Sequence, residues 1–181
     1  VMLRYLGVAE KYNLDVIIRV TGDCPIVSYE MAEFLLARHF EQGNDYTGPK
    51  EYCTGQNSEV YNVNTLKRVM EYLGDARHSE YMTWYMITNK DIFQVDMTDL
   101  PSQWIRTYRL TLDVQEDLDM FNALFEKLGK KEVSIKNVFD VIDKEPWIHE
   151  LNDAMVLKYK SDKKLIDMLN KETKINQNKV K

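Results

Sequence analysis

The sequence predicts an α/β domain built on a largely parallel sheet. Short β-branched apolar runs alternate with stretches of helical periodicity. Gly, Pro, Asn and Asp punctuate the joints between them. The length, 181 residues with 44% hydrophobic side chains, suits one domain that buries its core without disulfides or metal staples.

Each element has its own local reason. Residues 1–12 place Met2, Leu3, Leu6, Ala9 and Tyr12 near one helical face. Residues 15–20, D-V-I-I-R-V, are β-branched and predict a buried strand. A loop with Gly22 and Pro25 follows, then a helix over 29–41 with Met31, Phe34, Leu35 and Phe40 on its apolar side. Short strands are predicted at 44–47 and 59–63, and helices at 65–73 and 79–88. Residues 92–97 and 107–114 alternate and predict two more strands. A helix over 115–128 ends at Gly129, and Ser134 caps a helix over 134–144. A weaker, exposed helix is predicted at 162–169. Residues 158–181 hold eight Lys against three acids and read as a lysine-rich helix or solvated tail appended to a domain over 1–157.

Composition excludes several classes. Twenty-four Lys and Arg against 29 Asp and Glu give a net charge of −5, unlike a general nucleic-acid binder. No apolar run approaches the roughly 18 residues that span a bilayer, and no basic-then-apolar signal segment opens the chain. Cys24 and Cys53 make no disulfide framework, so reduced thiols in a cytoplasmic protein are expected. The 7 Gly form no G-x-G pair and no G-x-x-x-x-G-K loop. The chain starts at Val1 inside a helical pattern with no N-cap, which predicts the C-terminal part of a longer protein.

Two aspartates carry the best chemical signal. Asp23 follows D-V-I-I-R-V, and Asp113 ends T-Y-R-L-T-L-D. Both are expected at the carboxyl edge of one sheet, where open α/β sheets bind ligands. Two carboxylates converging there need a cation between them, and Mg²⁺ accepts one or two carboxylates, waters and substrate phosphates. Each also has a plain reading: Asp23 as half of a Gly-Asp turn, Asp113 as an N-cap.

The surrounding motifs resemble a known family. R-V-T-G-D-C-P over 19–25 is similar to the signature of cytidylyltransferases of the spore coat polysaccharide biosynthesis protein F type, relatives of the CMP-sialic acid and CMP-KDO synthetases. In the same order, G-Q-N-S-E-V-Y over 55–61, S-E-Y-M-T-W-Y over 79–85 and R-L-T-L-D-V-Q-E-D-L over 109–118 resemble further family segments. The resemblance runs from Val1 to about Asn152. It implies a nucleotide-diphospho-sugar transferase-like three-layer sandwich and a reaction that joins CTP to a sugar or sugar acid and releases pyrophosphate. It implies Mg²⁺ ligation by Asp23 and Asp113 as the catalytic centre. Arg19, Gly22, Gln56, Asn57, Glu59 and Arg109 would face substrate, and homodimers would form through the aromatic segment around Trp84. The family's glycine-rich basic loop has no counterpart here. Tyr81 stands where the family has His, Trp84 replaces a Pro, and Asn57 a frequent Asp. These departures leave two alternatives: another nucleotidyl- or glycosyltransferase of the same fold using UDP or GDP sugars, or a non-catalytic remnant that dimerises.

The remaining residues divide between chemistry and packing. Arg19 in a strand either faces substrate or pairs with a strand neighbour, and Arg109 could pair across strands. Cys24 beside Asp23 is expected to pack rather than attack, since a negative neighbour raises a thiol pKa. His39, His78 and His149 have no metal-ligand spacing and are expected at the surface or at caps.

Overall fold

The computed structural model describes residues 1–155, 161–176, 178 and 180. A four-stranded sheet lies at the centre, in the order β1-β3-β2-β4. The strands are β1 (Val16–Arg19), β2 (Tyr46–Pro49), β3 (Glu59–Asn62) and β4 (Val95–Thr98). β1–β3 and β2–β3 are antiparallel, and only β2–β4 is parallel. The α/β class stands, but the sheet is mixed rather than largely parallel. Strand direction is not written in a strand's own side chains. It is set by the connection, and the loop from β2 returns straight into β3 without a crossover helix.

Helices cover both faces, giving three layers. The helices are α1 (Met2–Tyr12), α2 (Tyr29–Gln42), α3 (Val63–Leu73), α4 (Met82–Ile87), α5 (Gln115–Leu128), α6 (Ile135–Lys144), α7 (Trp147–Glu150) and α8 (Lys163–Glu172). The period-two alternation of the strands sorts their side chains between two cores. Val60 joins Met31 and Leu35 of α2, Leu124 of α5, Phe139 of α6 and Ile148 of α7. Tyr46 and Tyr61 join Met2 of α1, Leu66 and Val69 of α3, and Met82, Tyr85 and Met86 of α4. Each fully buried large side chain contributes about 1.5–3 kcal/mol.

The predicted Ser134 cap holds, and Ser28 supplies a second cap of the same kind. The Ser28 hydroxyl accepts from Met31 N at 3.0 Å to start α2, and the Ser134 hydroxyl accepts from Asn137 N at 3.3 Å to start α6. The segment 79–88 is less regular than its pattern: a 3-10 turn (Ser79–Tyr81) precedes α4.

Three expectations need correcting. Residues 107–114 form no strand; their one ladder contact is a parallel bridge from Arg109 to Thr54. Their alternation makes an extended segment, but loops flank it rather than a sheet edge. The helix near the C-terminus is not merely exposed: Leu169 is fully buried, and Ile175 joins the second core. Asn89 fixes this segment, donating to Thr173 O at 2.9 Å and accepting from Ile175 N at 2.8 Å. His39 is buried rather than superficial, within reach of the Thr47 hydroxyl at 3.0 Å and Asn62 Oδ1 at 3.2 Å. The boundary expected at 157/158 lies outside the described residues. Among the described residues no helix is long and apolar enough to cross a membrane.

Candidate active site

β1, β2 and β4 all run the same way, so their carboxyl ends share one edge of the sheet. β3 runs against them, which brings its first residue, Glu59, to that same edge. A cleft of about 550 Å³ opens there, lined by Arg19, Asp23, Asn57, Glu59 and Asp113, with Lys50, Glu80, Tyr81, Thr83, Trp84 and Thr111 among its other walls.

One wall is built from loops. The extended segment before α5 is laced between two of them: Leu110 N donates to Thr54 O and Leu112 N to Asp23 O, each at 2.8 Å. Gly55 makes the first contact possible. Its φ is +92°, and an added Cβ would sit 1.9 Å from Leu110 O. The lacing draws two distant carboxylates together. The Thr111 hydroxyl lies 3.4 Å from Asp23 Oδ2 and 3.4 Å from Asp113 Oδ2. Both aspartates are exposed to the cleft.

Asp113 is not the N-cap of α5. That task falls to Asp117, which reaches back to accept from Asp113 N at 2.9 Å and Val114 N at 3.2 Å. Asp117 is 0% exposed. Arg109 clamps it with two bonds of 2.8 Å and donates to Asp113 Oδ2 at 2.8 Å as well. Asn152 completes the brace, donating to Asp117 Oδ1 at 2.8 Å and Arg109 O at 3.0 Å. Burial pushes the Asp117 carboxyl up, but Arg109 and the backbone N–H groups outweigh it and hold the group at about 2. The Asp117 bond in turn raises Arg109, against burial.

The opposite wall stands on strands. Glu59, 5% exposed, accepts from Arg19, from the Tyr46 hydroxyl at 2.8 Å and from the Thr83 hydroxyl. Arg19 is its antiparallel Cα partner. Tyr46 crosses Gly48 to reach it; a Cβ on Gly48 would meet the Tyr46 hydroxyl at 2.3 Å. Burial opposes the Arg19 charge, but the Glu59 carboxylate outweighs this and raises the guanidinium pKa. Burial first, and Glu59 second, push the Tyr46 and Tyr61 phenols well above their usual range.

The residues singled out in sequence thus fall into three places. Arg19, Asp23, Asn57, Glu59 and Asp113 line the cleft. Arg109 stands behind Asp113 as a brace. Gly22 sits in an exposed turn away from the lining, and Gln56 is 1% exposed beneath the loop, its Oε1 without a partner among the described residues. Cys24 lines the cleft with Sγ 3.1 Å from the Thr21 hydroxyl, and burial followed by nearby Asp23 pushes its thiol up, against nucleophilic use. In the aromatic segment, Tyr85 lies in the second core, Tyr81 and Trp84 line the cleft, and Trp84 Nε1 donates to Asn170 Oδ1 at 3.1 Å.

Sequence reasoning missed Thr111, Tyr46, Thr83 and Asp117 as site residues. An Asp at the third position of a helix signals a reach-back cap, so Asp117 was findable. Tyr46 and Thr83 meet Glu59 only through tertiary contact and carry no local signal.

Comparison with known proteins bears on the family and the fold. The cytidylyltransferase family profile matches residues 1–145. The spore coat polysaccharide biosynthesis protein SpsF of Bacillus subtilis is 32% identical over 149 residues, 81% of this chain and 62% of that protein. The uncharacterized protein MJ1063 of Methanocaldococcus jannaschii is 30% identical over 157 residues, 84% of this chain and 63% of that protein. The chain therefore spans less than two thirds of the length of these relatives. The solved structure of a cytidylyltransferase from Leptospira borgpetersenii shares the fold, with a TM-score of 0.74 and 24% identity over 86% of this chain and 66% of that one. The family match, over well more than half of the chain, establishes that the chain belongs to the cytidylyltransferase family.

Proposed function

We propose that this chain supplies the metal-holding carboxylates and the sugar side of a site that joins CTP to a sugar or sugar acid, releasing pyrophosphate, for assembly of a polysaccharide or cell-surface glycan. The observation that carries the reading is the convergence of Asp23 and Asp113 on the Thr111 hydroxyl at the carboxyl edge of the sheet. In the reaction, a sugar hydroxyl oxygen bonds to the α-phosphorus, its proton passes to solvent, and the bond to the departing pyrophosphate breaks. Catalysis of this kind is mostly positioning and charge neutralisation.

Among the described residues no group of three or more His, Cys, Asp or Glu makes a closed metal cage. A Mg²⁺ site needs none: one or two carboxylates suffice, with waters and phosphates filling the rest. Asp23 and Asp113 fit that donor set. The Asp23 carboxylate meets only the Thr111 hydroxyl and the Cys24 thiol, so its charge is unpaired among the described residues. Held by Asp23 and Asp113, Mg²⁺ would supply neutralisation and orientation of phosphate charge. Arg109 fixes the direction of Asp113, and Asp117 and Asn152 fix Arg109. Tyr81 and Trp84 offer aromatic surface to the sugar.

Nucleotide selectivity tests the reading. With Mg²⁺ present, CTP at a hundredfold over its dissociation constant adds about 2.7 kcal/mol of stability. This is a rise of roughly 2–4 °C in melting temperature for a protein of this size. A CTP-selective rise is expected; equal rises with ATP, GTP and UTP contradict the base assignment. The reading extends to a cytoplasmic enzyme that works as a homodimer, with residues 158–181 as a lysine-rich end to the domain over 1–157; light scattering on the purified protein tests the dimer.

A further inference from the structure

We infer that α8 and the segment behind it build part of the cleft wall, with Asn170 as a positioning residue that fixes the direction in which the Trp84 indole faces a guest. The inference rests on the nucleotidyl-transfer reading for the guest and adds a residue to it. α8 and residues 173–175 lie beyond residues 1–145, the extent of the family match.

The wall they serve does not hold itself. α4 has 6 residues, well short of the roughly 12–15 that an isolated helix needs, so tertiary partners set its placement. Met82, Tyr85 and Met86 anchor its inner side in the second core. Thr83 and Trp84 are half-buried and line the cleft. The Thr83 hydroxyl is fixed by its bond to Glu59. Trp84 meets Tyr81 edge to face with centroids 6.1 Å apart. Rotation about the second side-chain torsion of a Trp has no sharp wells of its own, so the indole turns unless a partner holds its N–H.

The C-terminal segment ties Trp84 at both its side chain and its backbone. Trp84 Nε1 donates to Asn170 Oδ1 at 3.1 Å. Trp84 O accepts from the Thr88 hydroxyl, which lies 3.0 Å from the Thr173 hydroxyl. The platform under Asn170 is itself firm. Leu169 and Thr173 are buried on either side of it. Asn89 holds Thr173 O and Ile175 N, and Lys174 donates to Thr88 O at 2.8 Å and to Asp91 Oδ1 at 2.9 Å. A single bond to an acceptor so held is enough to select one orientation of the ring.

The test reads the indole directly by NMR on the full chain. Trp84, Trp104 and Trp147 give three indole N–H signals, and Trp84→Phe assigns one of them by its loss. Asn170→Ala removes the acceptor at an exposed position, without risk to folding. In that variant the Trp84 signal should move and its N–H should exchange with water about fivefold faster, the worth of one hydrogen bond. The nuclear Overhauser contact between the Trp84 and Tyr81 rings should weaken, while the Trp104 and Trp147 signals and the urea midpoint stay in place. Asn170→Asp keeps an acceptor oxygen and should restore the signal, the exchange rate and the ring contact. An unchanged ring contact in Asn170→Ala, or no rescue by Asn170→Asp, overturns the inference. So does a fall in the urea midpoint that moves all three signals together, which marks a contact that holds the fold and not the ring. No ligand enters the measurement, so its failure defeats only this inference, whereas failure to bind CTP defeats the nucleotidyl-transfer reading.

Discussion

The two walls of the cleft treat charge in opposite ways. On the strand wall, Glu59 is enclosed and saturated by Arg19, Tyr46 and Thr83. On the loop wall, the Asp113 side chain is 44% exposed, and Asp23 has no ionic partner among the described residues. The strand wall spends its hydrogen bonds internally and leaves none for a cation. The loop wall keeps its bracing one layer back, in Arg109, Asp117 and Asn152, and presents open carboxylates in front. A saturated carboxylate shapes a site; an unsaturated pair held in place can bind an ion there.

The brace is where that contrast breaks most severely. Asp117→Asn leaves the buried Arg109 with only the half-exposed Asp113 as ionic partner, and about 3–5 kcal/mol of stability should be lost in urea unfolding. Gly55→Ala comes next. The backbone conformation and the approach of Leu110 O both oppose a side chain there, for a loss of at least about 2 kcal/mol. A melt of this variant that matches the native chain would deny the lacing of the loop wall.

Acid sharpens the comparison. Asp117 ionises at about 2 in the fold, below its unfolded value of roughly 3.9. Its contribution, up to about 2 kcal/mol, is complete above pH about 4 and is lost as pH falls through about 2. Asp117→Asn should flatten that part of the stability profile. His39 acts in a milder range. Burial lowers its pKa, so the unfolded chain takes up the proton first and stability declines as pH falls below about 6.5. His39→Gln should remove that decline. The smallest stability effect belongs to Asp113→Asn, below about 1 kcal/mol, because the side chain is half exposed and its pairing with Arg109 is screened.

Much of this was legible in the sequence where local physics decides. α6 begins at its predicted Ser134 cap, α5 ends at Gly129, and β1 falls within D-V-I-I-R-V. The pairing of Asp23 with Asp113 was legible because each follows an extended apolar run. The direction of β3 was not, because side-chain alternation is the same for either direction. Nor was the fate of residues 107–114, whose alternation specifies an extended backbone but not its neighbour. The choice between two roles for Arg19 waited on Glu59, its partner across the sheet. Arg109 waited on Asp117, eight residues away but on a different element.

The central claim is that the loop wall holds a divalent cation through Asp23 and Asp113. Mn²⁺ titration followed by water-proton relaxation reads this directly, without turnover. The native chain should bind Mn²⁺ with Mg²⁺ as competitor. Asp113→Asn and Asp23→Asn should each lose that binding while keeping a urea midpoint close to native. Undiminished Mn²⁺ binding in both folded variants would contradict the account.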